Sequence, residues 1–279
     1  MRLDQYESRF KRAAKSVFEY APVPFETVLL VTDAEGQDAE AELERARAFL
    51  QPLGSTEGVK WIALRGDQYH TSHELVALVS QHKPDLLITH RSLKEADKDP
   101  IYSLGTYLDV LTQVAPVPVL VLPSGSLPQA LKRVMVVTDH ITGDSRLINY
   151  GAALLGEGGD LFLTHIEDEG TFERYLGVIS KLPSLDTETA RRDILEQLLK
   201  EPREFMESVQ KALAVPGAPQ VEVEPIVRLG RSVRDYRELV EARQVDLLVF
   251  NTKDSAQLAM HGMAYSLAVE LKRVPLLLL

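Results

Sequence analysis

Two aspartates close two nearly identical apolar runs, VLLVTD ending at Asp33 and VMVVTD ending at Asp139. A carboxylate at the carboxyl end of a buried strand stands on the rim where open α/β sheets bind their ligands. A second group of polar residues lies near the other end of the chain, in NTKDSAQLAMHGM from residue 251. Asn251, Lys253 and His261 there offer hydrogen-bond donors, and Gly262 opens the backbone so that its amides can approach a phosphate. Asp254 in the same stretch opposes this, because a carboxylate repels an anion.

Other groupings carry less chemistry. His70 and His73 form His-x-x-His, which can share a metal on a helix, but no third ligand accompanies them. Asp139, His140 and Asp144 could move protons, yet no nucleophile elbow is present. GAALLGEGG (151–159) lacks the lysine of a phosphate-binding P-loop. Arg228, Arg231, Arg234 and Arg237 could attract an anion or form a salt-bridged surface. No metal site and no catalytic set is expected.

Bulk composition narrows the classes further. The 279 residues are 45% hydrophobic and 26% charged, as in ordinary globular proteins, and the formal net charge is −10. An acidic chain is not expected to bind nucleic acid, whose partners carry a basic footprint. The chain has no cysteine, so disulfides and thiolate chemistry are excluded. No apolar stretch approaches the roughly 20 residues that span a bilayer. No stable membrane insertion is therefore expected, and the expected location is cytoplasmic. At the N-terminus Leu3, Tyr6, Phe10, Ala13, Ala14 and Val17 recur at helical spacing, predicting an amphipathic helix packed on this chain or a partner.

The elements that would position these residues repeat in order. PDLLITH and VDLLVFN each place an aspartate, Asp85 or Asp246, before an apolar run, and VPVLVL and VPLLLL each begin at a Val-Pro. Such short runs read as parallel strands buried on both faces, and helical patterns lie between them. The fold class is therefore α/β: two doubly wound, Rossmann-like domains in tandem. The interval from Asp139 to Asp246 is about twice that from Asp33 to Asp85. It leaves room for one strand, 59–64, in the first repeat and for two, 160–166 and 221–227, in the second, with a long helix over roughly 191–213. The divisions that follow are an N-terminal helical arm (1–24), a truncated repeat (25–124), a linker (125–131) and a complete repeat (132–279) with an insertion at 168–190.

With RVMVVTDHITGDSRLINYGAALLGEGGDLFLTHI, VRLGRSVRDYRELVEARQVDLLVF and HGMAYSLAVELKRVPLLLL in place, the second repeat resembles the universal stress protein family. The first resembles it at VLLVTDAEG, RGDQYHTSHELVALVSQHKPDLLITH and LGTYLDVLTQVAPVPVLVL. The resemblance implies an adenine-nucleotide α-hydrolase-like fold and, in ATP-binding members, a Gly-x-x-Gly loop followed by a Gly-Ser or Gly-Thr. Asp33 and Asp139 match the family's strand-end acid. Gly105 with Thr106 matches the closing pair of the first repeat, and Gly262 matches its glycine in the second, where Met263 replaces the hydroxyl residue. Thr89 and Ser92 stand for the first two glycines in the first repeat, and Asn251 and Asp254 in the second.

The expected function is thus a regulatory or stress-response module with an unknown protein partner and no cofactor. The alternative is a sensor of a nucleotide or small anion, ATP or another adenine nucleotide, in the second crevice at Asp139, Asn251, Lys253, His261 and Gly262. Asp33, Thr89, Gly105 and Thr106 would be a vestigial site. Family members pair edge to edge through their last strands, so the resemblance implies an internal pseudo-dimer here, with a homodimer as a further expectation.

Overall fold

A computed structural model describes residues 17–91, 93–95, 103–123, 127–128, 130–138, 144–181, 186–252, 260 and 262–279. Most of the N-terminal arm and the site candidates Asp139, Lys253 and His261 lie outside the described residues, as do Ser92, His140 and Asp254.

Among the described residues, nine strands form one sheet in the order β2-β1-β3-β4-β9-β8-β5-β6-β7. They are β1 (Thr27–Val31), β2 (Lys60–Leu64), β3 (Leu86–His90), β4 (Val119–Leu122), β5 (Arg133–Val137), β6 (Asp160–Asp168), β7 (Glu222–Gly230), β8 (Leu247–Phe250) and β9 (Leu276–Leu278). The helices are α1 (Gly36–Phe49), α2 (Gln51–Gly54), α3 (Ser72–His82), α4 (Thr106–Val114), α5 (Asp144–Leu154), α6 (Glu169–Ile179), α7 (Thr187–Leu213), α8 (Ser232–Ala242) and α9 (Gly262–Glu270). Every neighbouring pair of strands is parallel except β4 with β9, which run antiparallel with Val119 opposite Leu278. The two expected last strands therefore meet, and their pairing merges what the sequence suggested as two sheets into one.

Strand alternation builds a core on each face. Val28 and Leu30 point to one face, where α1, α5 and α7 pack through Leu43, Phe49, Ile148, Phe205 and Val209. Leu29 and Val31 point to the other, where α3, α4, α8 and α9 pack through Leu75, Leu108, Tyr236 and Leu267. Both faces of β1, β3, β5 and β8 are covered, which is why these strands read as unbroken apolar runs rather than alternating ones.

The repeated anchors hold the strands in register. Asp85 accepts hydrogen bonds from the amides of Glu26 and Thr27, both at 2.8 Å, tying the start of β3 to that of β1. Asp246 does the same for Lys132 (3.1 Å) and Arg133 (2.9 Å) at β5. The carbonyls of Pro118 and Pro275 each accept a strand amide at 3.0 Å, from Leu87 and Leu248. Lys83 (φ 45°) and Gln244 (φ 49°) turn the chain left-handed before each aspartate. These residues recur because both halves solve the same backbone problem.

The segment 168–190, read from the sequence only as an insertion, has structure of its own. It contains α6, whose start is capped by Asp168 accepting from the Thr171 amide at 2.7 Å. Phe172 and Leu176, one turn apart, are its buried face. The long helix also starts earlier than expected, at Thr187, after the cap Asp186.

Among the described residues, side chains also bridge the seam between β4 and β9. The buried Arg91, just past β3, donates from its guanidinium to the carbonyls of Ala268 and Leu271 (3.0 Å for the latter) at the end of α9. There the cation also meets the negative end of the helix dipole. Tyr265 on α9 donates to Asp109 on α4.

Candidate functional site

In the first half the crevice at the end of β1 is filled by the chain itself. Asp33 accepts a hydrogen bond from the Lys94 amide at 2.7 Å. Lys94 adopts a left-handed backbone (φ 61°), and its Nζ donates to the Gly66 carbonyl at 2.5 Å. The same ammonium lies 4.7 Å from the centroid of the Tyr69 ring, a cation–π contact. Tyr69 is wholly buried; its hydroxyl donates to the Thr32 carbonyl at 3.0 Å and reaches Asp33 at 3.4 Å. Burial, and then the Asp33 carboxylate, push the Tyr69 phenol far above its ordinary pKa. It therefore stays a neutral donor.

The neighbouring residue closes the other end of the same crevice. Gly105 (φ 94°) caps α4. Both oxygens of Glu95 lie 3.3 Å from the Thr106 amide. A helix N-terminus favours an anion, and here the chain supplies its own. Gly66 allows this packing, since a Cβ there would stand 2.1 Å from the Asp33 carbonyl oxygen.

Thr89 lies inside β3, wholly buried, with no hydrogen-bond partner for its hydroxyl. The strand register makes His90, not Thr89, the counterpart of Asn251, because Leu87 and Leu248 occupy matching positions. His90 faces α1, its Nε2 3.4 Å from the Glu42 carboxylate without hydrogen-bond geometry. Glu42 also accepts from the Thr32 hydroxyl. Burial lowers the His90 pKa below its ordinary value, against the opposing pull of Glu42.

The second half differs. Asn251 is half-buried just beyond β8, and Gly262 is exposed at the start of α9, with no described residue within 4 Å of where a side chain would project. At the end of β5, His165 donates from Nδ1 to the Thr138 carbonyl at 2.5 Å, and its Nε2 lies 3.5 Å from Glu167. A carbonyl only accepts, which fixes the proton on Nδ1. His165, Lys94, Glu95 and Tyr69 were not singled out from the sequence. Their partners are mostly remote along the chain, as with Lys94 and Gly66, so no local pattern marks them.

The remaining candidates are structural. Arg228 pairs with Asp235 (2.9 Å), Arg231 with Glu169 (3.5 Å), Arg234 with Glu238 (2.8 Å) and Arg237 with Glu270 (3.7 Å). The arginine cluster is a salt-bridged surface. His70 and His73 are exposed at the start of α3, where Thr71 accepts from the Glu74 amide and Glu74 accepts from the His70 amide, a helix cap. Among the described residues no group of three metal-binding side chains exists. No described helix is long and apolar enough to cross a membrane.

Solved structures resemble this arrangement over nearly the whole chain. A universal stress protein of Archaeoglobus fulgidus DSM 4304 matches with a TM-score of 0.52 at 11% identity, covering 90% of this chain and 95% of its own. The chain shares the fold of universal stress proteins. A functionally unknown protein of Pseudomonas aeruginosa PAO1 matches with a TM-score of 0.53 at 14% identity, covering 92% of each chain. No family model and no curated protein matches the sequence.

Proposed function

We propose that this chain is a universal-stress-protein-like regulatory module, built from two such units in tandem, that does not hold ATP in the family's usual way. The observation that carries the reading is the first crevice, where Lys94 engages Asp33, Gly66 and Tyr69 while Glu95 sits at the α4 N-terminus. A nucleotide would have to displace an internal cation and an internal anion together. The antiparallel β4–β9 pair supports an internal pseudo-dimer, which also covers two apolar edges that would otherwise invite association. The module acts through a protein partner.

A second reading is favoured by Asn251 and by a Gly262 that no described residue crowds: a nucleotide or small-anion sensor in the second crevice, with Asp139, Lys253 and His261 completing it. Titration calorimetry with ATP, ADP and AMP separates the two. No saturable heat at millimolar nucleotide is the outcome expected for the module. Saturable binding that disappears in Asp139→Ala would replace it with the sensor.

A further inference from the structure

The chain is acidic as a whole, yet its first sixteen residues are basic: Arg2, Arg9, Lys11, Arg12 and Lys15 stand against Asp4 and Glu7. Leu3, Tyr6, Phe10 and Ala13 recur among them at three- and four-residue steps, which gives a helix one apolar stripe. A helix so short gains most of its stability from packing such a stripe on a surface.

The residues that follow the arm show where that surface begins. Phe18 is buried, and its amide donates to the Ser208 hydroxyl of α7 at 2.9 Å. Val17 before it is exposed, so a helical stretch ends short of this anchor. From Ser208, α7 continues only to Leu213 in one direction but back to Thr187 in the other. Only the second direction is long enough to underlie the arm. There Ile194, Gln197, Glu201, Glu204 and Ser208 follow at three- and four-residue steps and so share a side of α7. Ile194 and, one turn on, Leu198 are half-buried. From Ser208 back to Ile194 is about 21 Å along the helix, against about 20 Å from Ser16 back to Leu3. Charge matches as well as length. Between Asp193 and Ser208, α7 carries Asp193, Glu196, Glu201, Glu204 and Glu207 against Lys200 and Arg203. Glu196, Glu201 and Glu207 are exposed, and none of these three has an ion pair among the described residues.

We infer that residues 1–16 form an amphipathic helix docked along α7 of the same chain and parallel to it, with Leu3 near Ile194 and the arm's cations among the α7 carboxylates. The outer side of α7 is thus the docking surface of the arm. A protein that binds either one has to displace the other. The inference does not depend on whether the second crevice holds a nucleotide.

The chain has no cysteine, so engineered pairs report position cleanly. In the full chain, Glu7→Cys with Gln197→Cys is expected to form a disulfide within one molecule under mild oxidation, and Glu7→Cys with Lys211→Cys is not. Amide hydrogen exchange is expected to show residues 2–16 protected at least about tenfold over an unstructured chain. Glu201→Lys with Glu207→Lys should remove most of that protection, and adding Arg9→Glu and Arg12→Glu should restore part of it. Unprotected residues 2–16, or protection untouched by the reversal at 201 and 207, would overturn the inference. So would crosslinking to position 211, or crosslinking between two molecules instead of within one. Protection that arises only when phosphatidylserine vesicles are added would also overturn it, by assigning the arm to a membrane surface. None of these readings involves ATP, so a failure here is distinct from a failure of the proposed function.

Discussion

The two crevices start from matching strands and reach different ends. In each half an aspartate ties the central strands together, a left-handed residue precedes it and a proline carbonyl receives the neighbouring strand. Yet the first crevice holds its own lysine and glutamate, whereas the described floor of the second presents Asn251, His165 and a Gly262 that no described residue crowds. The scaffold kept its backbone devices while the side chains at the rim diverged. Fold and site are thus separately encoded, as expected when function is grafted on a common frame.

The largest contrast is expected between two glycines. Gly66→Ala drives a methyl group against the Asp33 carbonyl, so it should destabilise by about 3 kcal/mol and release Lys94. Gly262→Ala meets no described residue within 4 Å and should change stability by less than about 0.5 kcal/mol. Chemical denaturation of both variants checks this, and equal losses would erase the contrast between the crevices.

A smaller, shared effect should come from the strand-tying carboxylates. Asp85→Ala and Asp246→Ala each remove charge-assisted bonds to two amides and should cost about 1.5–3 kcal/mol. Asp246 should cost more, because it is buried and its loss also leaves Arg133 without the carboxylate 3.5 Å away. If only one substitution destabilises, the halves do not share this device.

Much of this frame was legible beforehand. The buried runs, the aspartates before them and the helices between them follow from local patterns that packing did not override. The helix α6 was missed because Gly170 and charged residues dilute a face carried by Phe172 and Leu176 alone. Thr89 was matched one position early by following the family's loop pattern; the spacing from Asp85 and Asp246 already sets His90 against Asn251, and the pairing with β4 and β9 agrees. The closure by Lys94 joins β1, the turn at Gly66 and the loop after β3, and no spacing rule links such distant residues.

The smallest effect concerns acid. His90 has a folded-state pKa below its unfolded value because of burial. Its contribution to stability is therefore fully present above the unfolded value of about 6.5 and is lost as pH falls through the folded one. Replacing His90 by Asn, the residue at its counterpart position, should flatten that decline in melting temperature below pH 6.5. A decline that persists unchanged would assign it to another group.

Closure of the first crevice is read most directly by amide hydrogen exchange at Lys94 in the full chain, with and without millimolar ATP. The Lys94 amide, bonded to Asp33, is expected to exchange slowly in the free protein and to be unaffected by ATP. Fast exchange in the free protein that slows when ATP is added would mean that the crevice stands open and that a ligand, not Lys94, fills it.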